Sequence, residues 1–301
     1  MPLKRKRADG SPSSVAVPST YSRMDFPTFC VARQEILEKR RQALPRDKWT
    51  DDPVLANARF CNIDRRDDAV TAELLGQIEQ YAKQWTVRDK VLLAAALRFT
   101  GSRRGEAEVI AALVEAGRSH KDRSATPLRG AFAQERLRCG TGTYQLSLNR
   151  KQVATVIEDM ALAVSEHVAS EGPFADVLEA SDFVAELMTV GKRPQFSANE
   201  TAKDFAYIDG LMKPASHHRC RLGPGARKGL VLVRQRMSSL LSNCHSEEAA
   251  VASLRTELRR APSLAWVETI DVEQALCEYS KYEAYVTTGI SAGKRFKPSR
   301  A

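Results

Sequence analysis

Ten segments of this chain repeat apolar residues at three- and four-residue spacing: Phe29–Leu44, Ala69–Trp85, Val87–Phe99, Glu106–Ala116, Arg150–Ala169, Phe174–Val190, Ala198–Leu211, Gly229–Leu241, Glu247–Arg259 and Ile270–Thr287. That spacing gathers apolar side chains on one stripe of a helix, which must then be buried against another element. Breakers stand where these helices should end: Gly101, Gly117, Gly140, Gly142, Gly172-Pro173, Gly191, Pro214 and Pro262. One alternating stretch, Thr143–Leu148, has the form of a strand, but a single short strand finds nothing to pair with. The pattern predicts an all-α, multi-helix globule of roughly ten helices.

The chain has 301 residues, of which 43% are hydrophobic and 28% charged, enough for a substantial core. The net charge of +9 is unevenly spread. Residues 1–22 carry Lys4, Arg5, Lys6 and Arg7 in a Ser- and Pro-rich context, and residues 289–301 carry four further cations. The expected layout is a disordered basic tail at 1–22, one all-helical domain at 23–288 and a basic tail at 289–301. The first basic cluster suits nuclear import in a eukaryotic cell; otherwise a cytoplasmic location is expected. Six scattered cysteines without a Cys-x-x-Cys pair point to a reducing compartment, and no apolar run is long enough to span a membrane.

Against a nearly neutral body, Lys213 to Arg236 holds seven Lys or Arg and no acid. Within it, Arg221-Leu222-Gly223-Pro224-Gly225-Ala226-Arg227-Lys228-Gly229 reads as a glycine hairpin, with exposed backbone N–H groups and a helix beginning near Gly229. Such a device grips a phosphate backbone. Glycines also close ordinary helix–helix turns, so the argument rests on the basic flank.

Two other segments hold groups capable of chemistry. In Arg59-Phe60-Cys61-Asn62-Ile63-Asp64-Arg65-Arg66-Asp67-Asp68, the residues Asn62, Arg65 and Asp68 fall three apart and are expected on one broad helical face. The plainer alternative is a helix start with its acids near the positive dipole end. In Thr269–Tyr282, Asp271, Gln274, Glu278, Lys281 and Tyr282 are expected along one polar side of a helix, with Val272, Ala275, Leu276 and Tyr279 packed. Glu278 has the character of a general base and Lys281 that of a phosphate partner, though an i,i+3 Glu–Lys pair is also an ordinary surface ion pair.

Taken in order, Arg59-Phe60-x-Asn62-Ile63-x-Arg65-x-x-Asp68-x-x-Thr71, Asp204 in Ala202–Tyr207, Gly223-Pro224-Gly225-Ala226-Arg227-x-Gly229, and Asp271–Tyr282 resemble the helical domain of 5-hydroxymethyluracil DNA kinases, the α-glutamyl/putrescinyl thymine pyrophosphorylase family. The resemblance runs from about Pro53 to Tyr282. It implies a fold related to helix-hairpin-helix DNA glycosylases, and action on 5-hydroxymethyluracil or its (pyro)phosphorylated form in DNA, by transfer to or displacement at the 5-hydroxymethyl group. It carries Arg59, Asn62, Arg65, Asp68, Asp204, Glu278 and Lys281 into the catalytic site, and Arg221, Gly223, Gly225, Arg227 and Lys228 onto DNA. Two departures stand out: Cys61 replaces the family's usual Thr, and Ala198–Thr201 replaces a more apolar approach to Asp204.

The implied partners are DNA and, in a multistep pathway, a separate kinase or base-oxidising enzyme, with no membrane. The base would be flipped from the stack, with Arg59 and Arg65 neutralising phosphate charge and Glu278 or Asp68 as the base. The co-substrate is left open between ATP and an amine or amino acid, because Gly289–Arg295 is one residue short of a Walker A loop and lacks its Ser or Thr. Two alternatives remain: a non-catalytic nuclear module binding modified DNA, and a DNA glycosylase using Lys228. Against the latter, Lys228 is one residue out of register with the hairpin, and only Glu247 and Glu248 stand where a downstream Asp is needed. His217, His218 and Cys220 lack a second ligand pair, so no metal site is expected.

Overall fold

The computed structural model describes residues 23–81, 85–100, 150–188, 194–214 and 219–290. The tails, the expected helix at Glu106–Ala116, the strand candidate Thr143–Leu148, His217 and His218, and most of the Walker-like segment lie outside the described residues. The elements among the described residues are all helices: α1 (Phe26–Arg41), α2 (Pro53–Asn57), α3 (Ala69–Tyr81), α4 (Val87–Thr100), α5 (Arg150–Ser170), α6 (Val177–Leu187), α7 (Pro194–Phe205), α8 (Pro224–Arg236), α9 (Ser238–Leu241), α10 (Glu247–Leu258) and α11 (Thr269–Thr288), with 3-10 turns at Arg46–Lys48, Arg65–Asp67 and Pro262–Leu264.

Local chemistry sets most of the helix ends. Asp25 caps α1 by accepting the Thr28 amide, Asp52 caps α2 through Val54 and Leu55, Asp176 caps α6, and Ser246 caps α10. Glu268 and Asp271 form a reciprocal capping box at the start of α11, and Gly289, at φ 75°, ends it. Helix α8 begins at Pro224, five residues before the expected start at Gly229. Proline's fixed φ suits the first helical position, where its missing N–H costs nothing.

Two apolar clusters organise the packing. The first is built from α3 to α7, with Leu74, Val91–Phe99, Val153, Ile157, Met160, Phe174 and Phe205 inside it. The second joins α1 and α2 to α8–α11 through Phe26, Phe29, Ile63, Leu230, Val233, Leu254, Tyr279 and Tyr282. Helix α11 reaches both, since Ile270 belongs to the first cluster and Val272 onward to the second. A short parallel bridge, Phe174 to Met212, ties the start of α6 to the chain leaving α7. Between the clusters run the segment 59–68, α7, the α8 N-terminus and α11, which is where the chemistry-bearing motifs lie.

Candidate active site

The loop 59–62 is fixed residue by residue. The Phe60 ring packs edge-on against Phe29 and Tyr285, both at 5.9 Å between centroids. The Cys61 amide donates to Glu278 Oε2 at 3.1 Å. The Asn62 carbonyl accepts from Gln274 Nε2 at 2.6 Å, while the Asn62 side chain donates to the Asp67 carbonyl at 3.0 Å. Asn62, Arg65 and Asp68 therefore do not share a helical face as expected. Residues 59–64 are non-helical, Arg65–Asp67 is a 3-10 turn capped by Asp64, and Asp68 caps α3 through the Val70 and Thr71 amides. The alternative of acids serving a helix start describes Asp64 and Asp68.

From this loop a chain of buried charges crosses the molecule. Arg65 donates to Glu200 Oε2 at 3.0 Å, to the Glu200 carbonyl at 2.9 Å and to Asp204 Oδ1 at 3.2 Å. Asp204 also receives the Arg98 guanidinium and the Thr71 hydroxyl, and Arg98 extends to Asp68 at 3.6 Å. On the other side Lys203, entirely enclosed, binds Glu200 at 2.6 Å and Glu273 at 2.5 Å. Burial alone would raise the Glu200 carboxyl, yet Lys203, Arg65 and Arg98 hold it well below its ordinary value. Burial would likewise lower Lys203, but Glu200 and Glu273 keep it raised. Arg65, at 3% exposure, and Asp204, at 0%, are thus committed to protein partners. The Arg65 guanidinium, expected to neutralise substrate charge directly, is instead engaged by Glu200 and Asp204 of this chain.

The exposed end of the arrangement holds Glu278 and Lys281. Glu278 is buried, with one oxygen on the Cys61 amide and the other on Lys281, whose side chain remains 43% exposed. Burial would lower the Lys281 ammonium, but Glu278 raises it above its ordinary value. Cys61 is exposed at the residue level. Desolvation by the surrounding protein, followed by the Glu278 charge, pushes its thiol up to about 12, so it is not a thiolate nucleophile at neutral pH. Arg59 is exposed beside this loop. The rest of α11 corrects the expected polar side. Of that side, Asp271, Gln274 and Tyr282 are buried, as is neighbouring Glu273, and the Tyr282 hydroxyl donates to Asp52 at 3.1 Å.

The hairpin departs from its expected form in two respects. Gly223 sits at φ −72°, so no left-handed turn is made there. Its amide donates to Glu273 Oε1 at 3.0 Å, so one donor of the helix entrance already faces a carboxylate of this chain. The glycines serve close packing of α8 on α11. A Cβ on Gly225 would fall 2.5 Å from Cys277 Sγ, and one on Gly229 would fall 2.7 Å from the Leu276 carbonyl carbon. The basic run is largely paired from elsewhere in the chain: Arg219 with Asp176, Arg221 with Asp182, Arg227 with Glu247 and Arg236 with Glu283. Lys228 is exposed.

Five residues at the centre of this arrangement, Arg98, Thr71, Glu200, Lys203 and Glu273, were not among the expected site residues. Arg98 had a sequence signal, a lone cation inside the apolar run Val91–Phe99. The described residues contain no group of three or more His, Cys, Asp or Glu arranged to hold a metal ion, and no helix among them is long and apolar enough to cross a membrane.

Comparison with curated proteins and with solved structures returns no match. A family model does match, over about a quarter of the chain, and the stretch it covers includes the loop 59–62, Arg65 and Asp68. Over residues 20–95 this chain is similar to the family described as 5-hmdU DNA kinase, helical domain.

Proposed function

We propose that this protein is a DNA base-modifying enzyme that acts on 5-hydroxymethyluracil, or its phosphorylated form, at the 5-hydroxymethyl group. The observation that carries this reading is convergence. The segment similar to the 5-hmdU DNA kinase helical domain meets two distant motifs directly: Asp271–Tyr282, through Cys61 with Glu278, Asn62 with Gln274 and Arg65 with Asp271, and the Asp204 motif, through Arg65. Residues separated by more than a hundred positions are held in one fixed set, as a preorganised site requires.

Within that site Lys281 is the accessible cation and Glu278 the enclosed carboxylate. A phosphate on the substrate or co-substrate would draw Lys281 away from Glu278 Oε1. The freed oxygen could then take the proton of the attacking hydroxyl or amine. Arg59 adds a second exposed cation, and Lys228 with the start of α8 supplies a contact for the DNA backbone. The partner that supplies the modified base, or the phosphoryl group, would be a separate enzyme.

The commitment of Arg65 and Asp204 to buried partners favours one second reading, a module that binds modified DNA without altering it. Incubating the protein with DNA containing 5-hydroxymethyluracil or its phosphomonoester, with ATP and a pool of amines, followed by mass spectrometry of the nucleosides, separates the two. A phosphomonoester or amine adduct is the expected result. An abasic site would replace the proposal with glycosylase chemistry, and unchanged bases with tight binding would replace it with the binding module.

A further inference from the structure

Arg33 of α1 is a buried cation, 5% exposed, that forms no ion pair among the described residues. Removing a guanidinium from water without a carboxylate partner is costly, so the position calls for an explanation. Its Nη2 donates to the carbonyls of Phe60 at 3.3 Å and Cys61 at 3.1 Å, and the guanidinium lies over the Phe60 ring at 5.4 Å. Its Nε has no hydrogen-bond partner. The loop is therefore held from both sides, by Arg33 on the carbonyls of Phe60 and Cys61 and by Glu278 on the Cys61 amide.

We infer that Arg33 is a positioning residue of the site, whose guanidinium clamps the Phe60 and Cys61 carbonyls so that the intervening Cys61 amide faces α11 and one carboxylate oxygen of Glu278 stays engaged on the loop. This rests on the proposed function for its catalytic consequence but not for its structural one. With the clamp in place, Glu278 has one oxygen fixed by the loop and only the other, shared with Lys281, available for proton transfer. Burial lowers the Arg33 guanidinium to about 10, against which the neighbouring Glu278 charge works, so it remains cationic at neutral pH. A neutral or thioether side chain of similar length would fill the space without holding either carbonyl.

The test compares wild type, R33M and R33K in full-length protein. The first readout is the rate of iodoacetamide alkylation at Cys61 and, as an internal control, at Cys277, mapped by peptide mass spectrometry. The second is the kcat and KM split on DNA containing 5-hydroxymethyluracil. R33M, which removes both hydrogen bonds to the loop carbonyls, is expected to speed alkylation of Cys61 by roughly tenfold or more, the low end of what loss of a charge-assisted hydrogen bond produces, while leaving Cys277 unchanged. R33K should restore most of the slow rate, and kcat should fall in R33M with little change in KM. Equal acceleration at Cys61 and Cys277, or no acceleration in R33M, would overturn the inference and leave Arg33 as packing. If wild type modifies no base, the proposed function fails, while the alkylation comparison still decides the role of Arg33.

Discussion

Glu273 occupies the N-terminus of α8 from within the protein, its Oε1 receiving the Gly223 amide at 3.0 Å while its Oε2 binds Lys203. One carboxylate thus serves a helix dipole and a buried ammonium together, and joins the hairpin to the charge chain that ends at Asp68. E273A leaves Lys203 enclosed with Glu200 alone and strips the α8 entrance of its anion. It should destabilise the fold by about 3 kcal/mol, measured as a lower urea midpoint at unchanged m. A midpoint within error of wild type would show that Lys203 has found water.

The glycines of α8 should respond in order of what they face. Gly229 meets backbone, the Leu276 carbonyl, which cannot step aside without separating α8 from α11, so G229A should cost about 3 kcal/mol. Gly225 meets the Cys277 sulfur at 2.5 Å, and a side chain can rotate. G225A should cost less, and the double variant with C277A should recover most of that loss, a coupling that a thermodynamic cycle on urea midpoints reads directly.

Of the ten helical segments expected from apolar spacing, nine fall wholly or mostly on described residues and each coincides with a helix; seven have ends within about four residues of those expected, while α7 ends six residues early and α8 is shifted five residues towards the N-terminus. The α8 start was missed because Gly223-Pro224-Gly225 was read as a hairpin ahead of the helix, when proline one residue after a capping glycine is itself a helix-start signal. The site was legible by motif but not by environment. Ala198–Phe205 is buried throughout while carrying Asn199, Glu200, Lys203 and Asp204, so hydrophobic periodicity has nothing to find there. The burial of the polar side of α11 was hidden for the same reason: a sequence shows that Asp271 is charged, but not that the amides of Arg65 and Glu268 bond its carboxylate.

Stability should carry two opposing slopes with pH. Burial raises the Asp271 carboxyl from 3.8 to about 6, against amide hydrogen bonds from Glu268 and Arg65. The native state therefore holds this proton more tightly than the unfolded chain. Below pH 4 both states are protonated and the difference vanishes. Between about pH 4 and 6 the unfolded chain ionises first and stability falls, by roughly 3 kcal/mol at most. Glu200 has the opposite sign, its stabilisation complete above its ordinary value of 4.5 and lost as pH falls below it. Urea midpoints from pH 3 to 7 should show the falling limb in wild type, and D271N should flatten it while leaving the acid limb in place.

At the accessible end of the site, E278Q removes the charge on the oxygen facing Lys281 and keeps an acceptor for the Cys61 amide. Base modification should fall by about a hundredfold, the range for loss of a general base, with the melting temperature nearly kept. K281M should instead raise the KM for a phosphorylated substrate, since Lys281 is the exposed partner for phosphate. Equal activity in E278Q and wild type, followed by nucleoside mass spectrometry, would remove Glu278 from the proton-transfer role.

The basic run around the hairpin makes a sharper prediction than its charge alone. Arg227 and Glu247 are both about half exposed, and their 3.0 Å contact is a solvent-screened pair that a phosphate can replace. Lys228 faces solvent beside it. If this face holds DNA, K228A should weaken binding across all sequences and reduce the slope of log affinity against log salt by about 1. E247Q should act in the opposite direction, releasing Arg227 and tightening binding, because the protein no longer supplies its own competitor for that guanidinium. A K228A variant with unchanged salt slope, measured by fluorescence anisotropy on duplex DNA, would move the DNA contact away from α8.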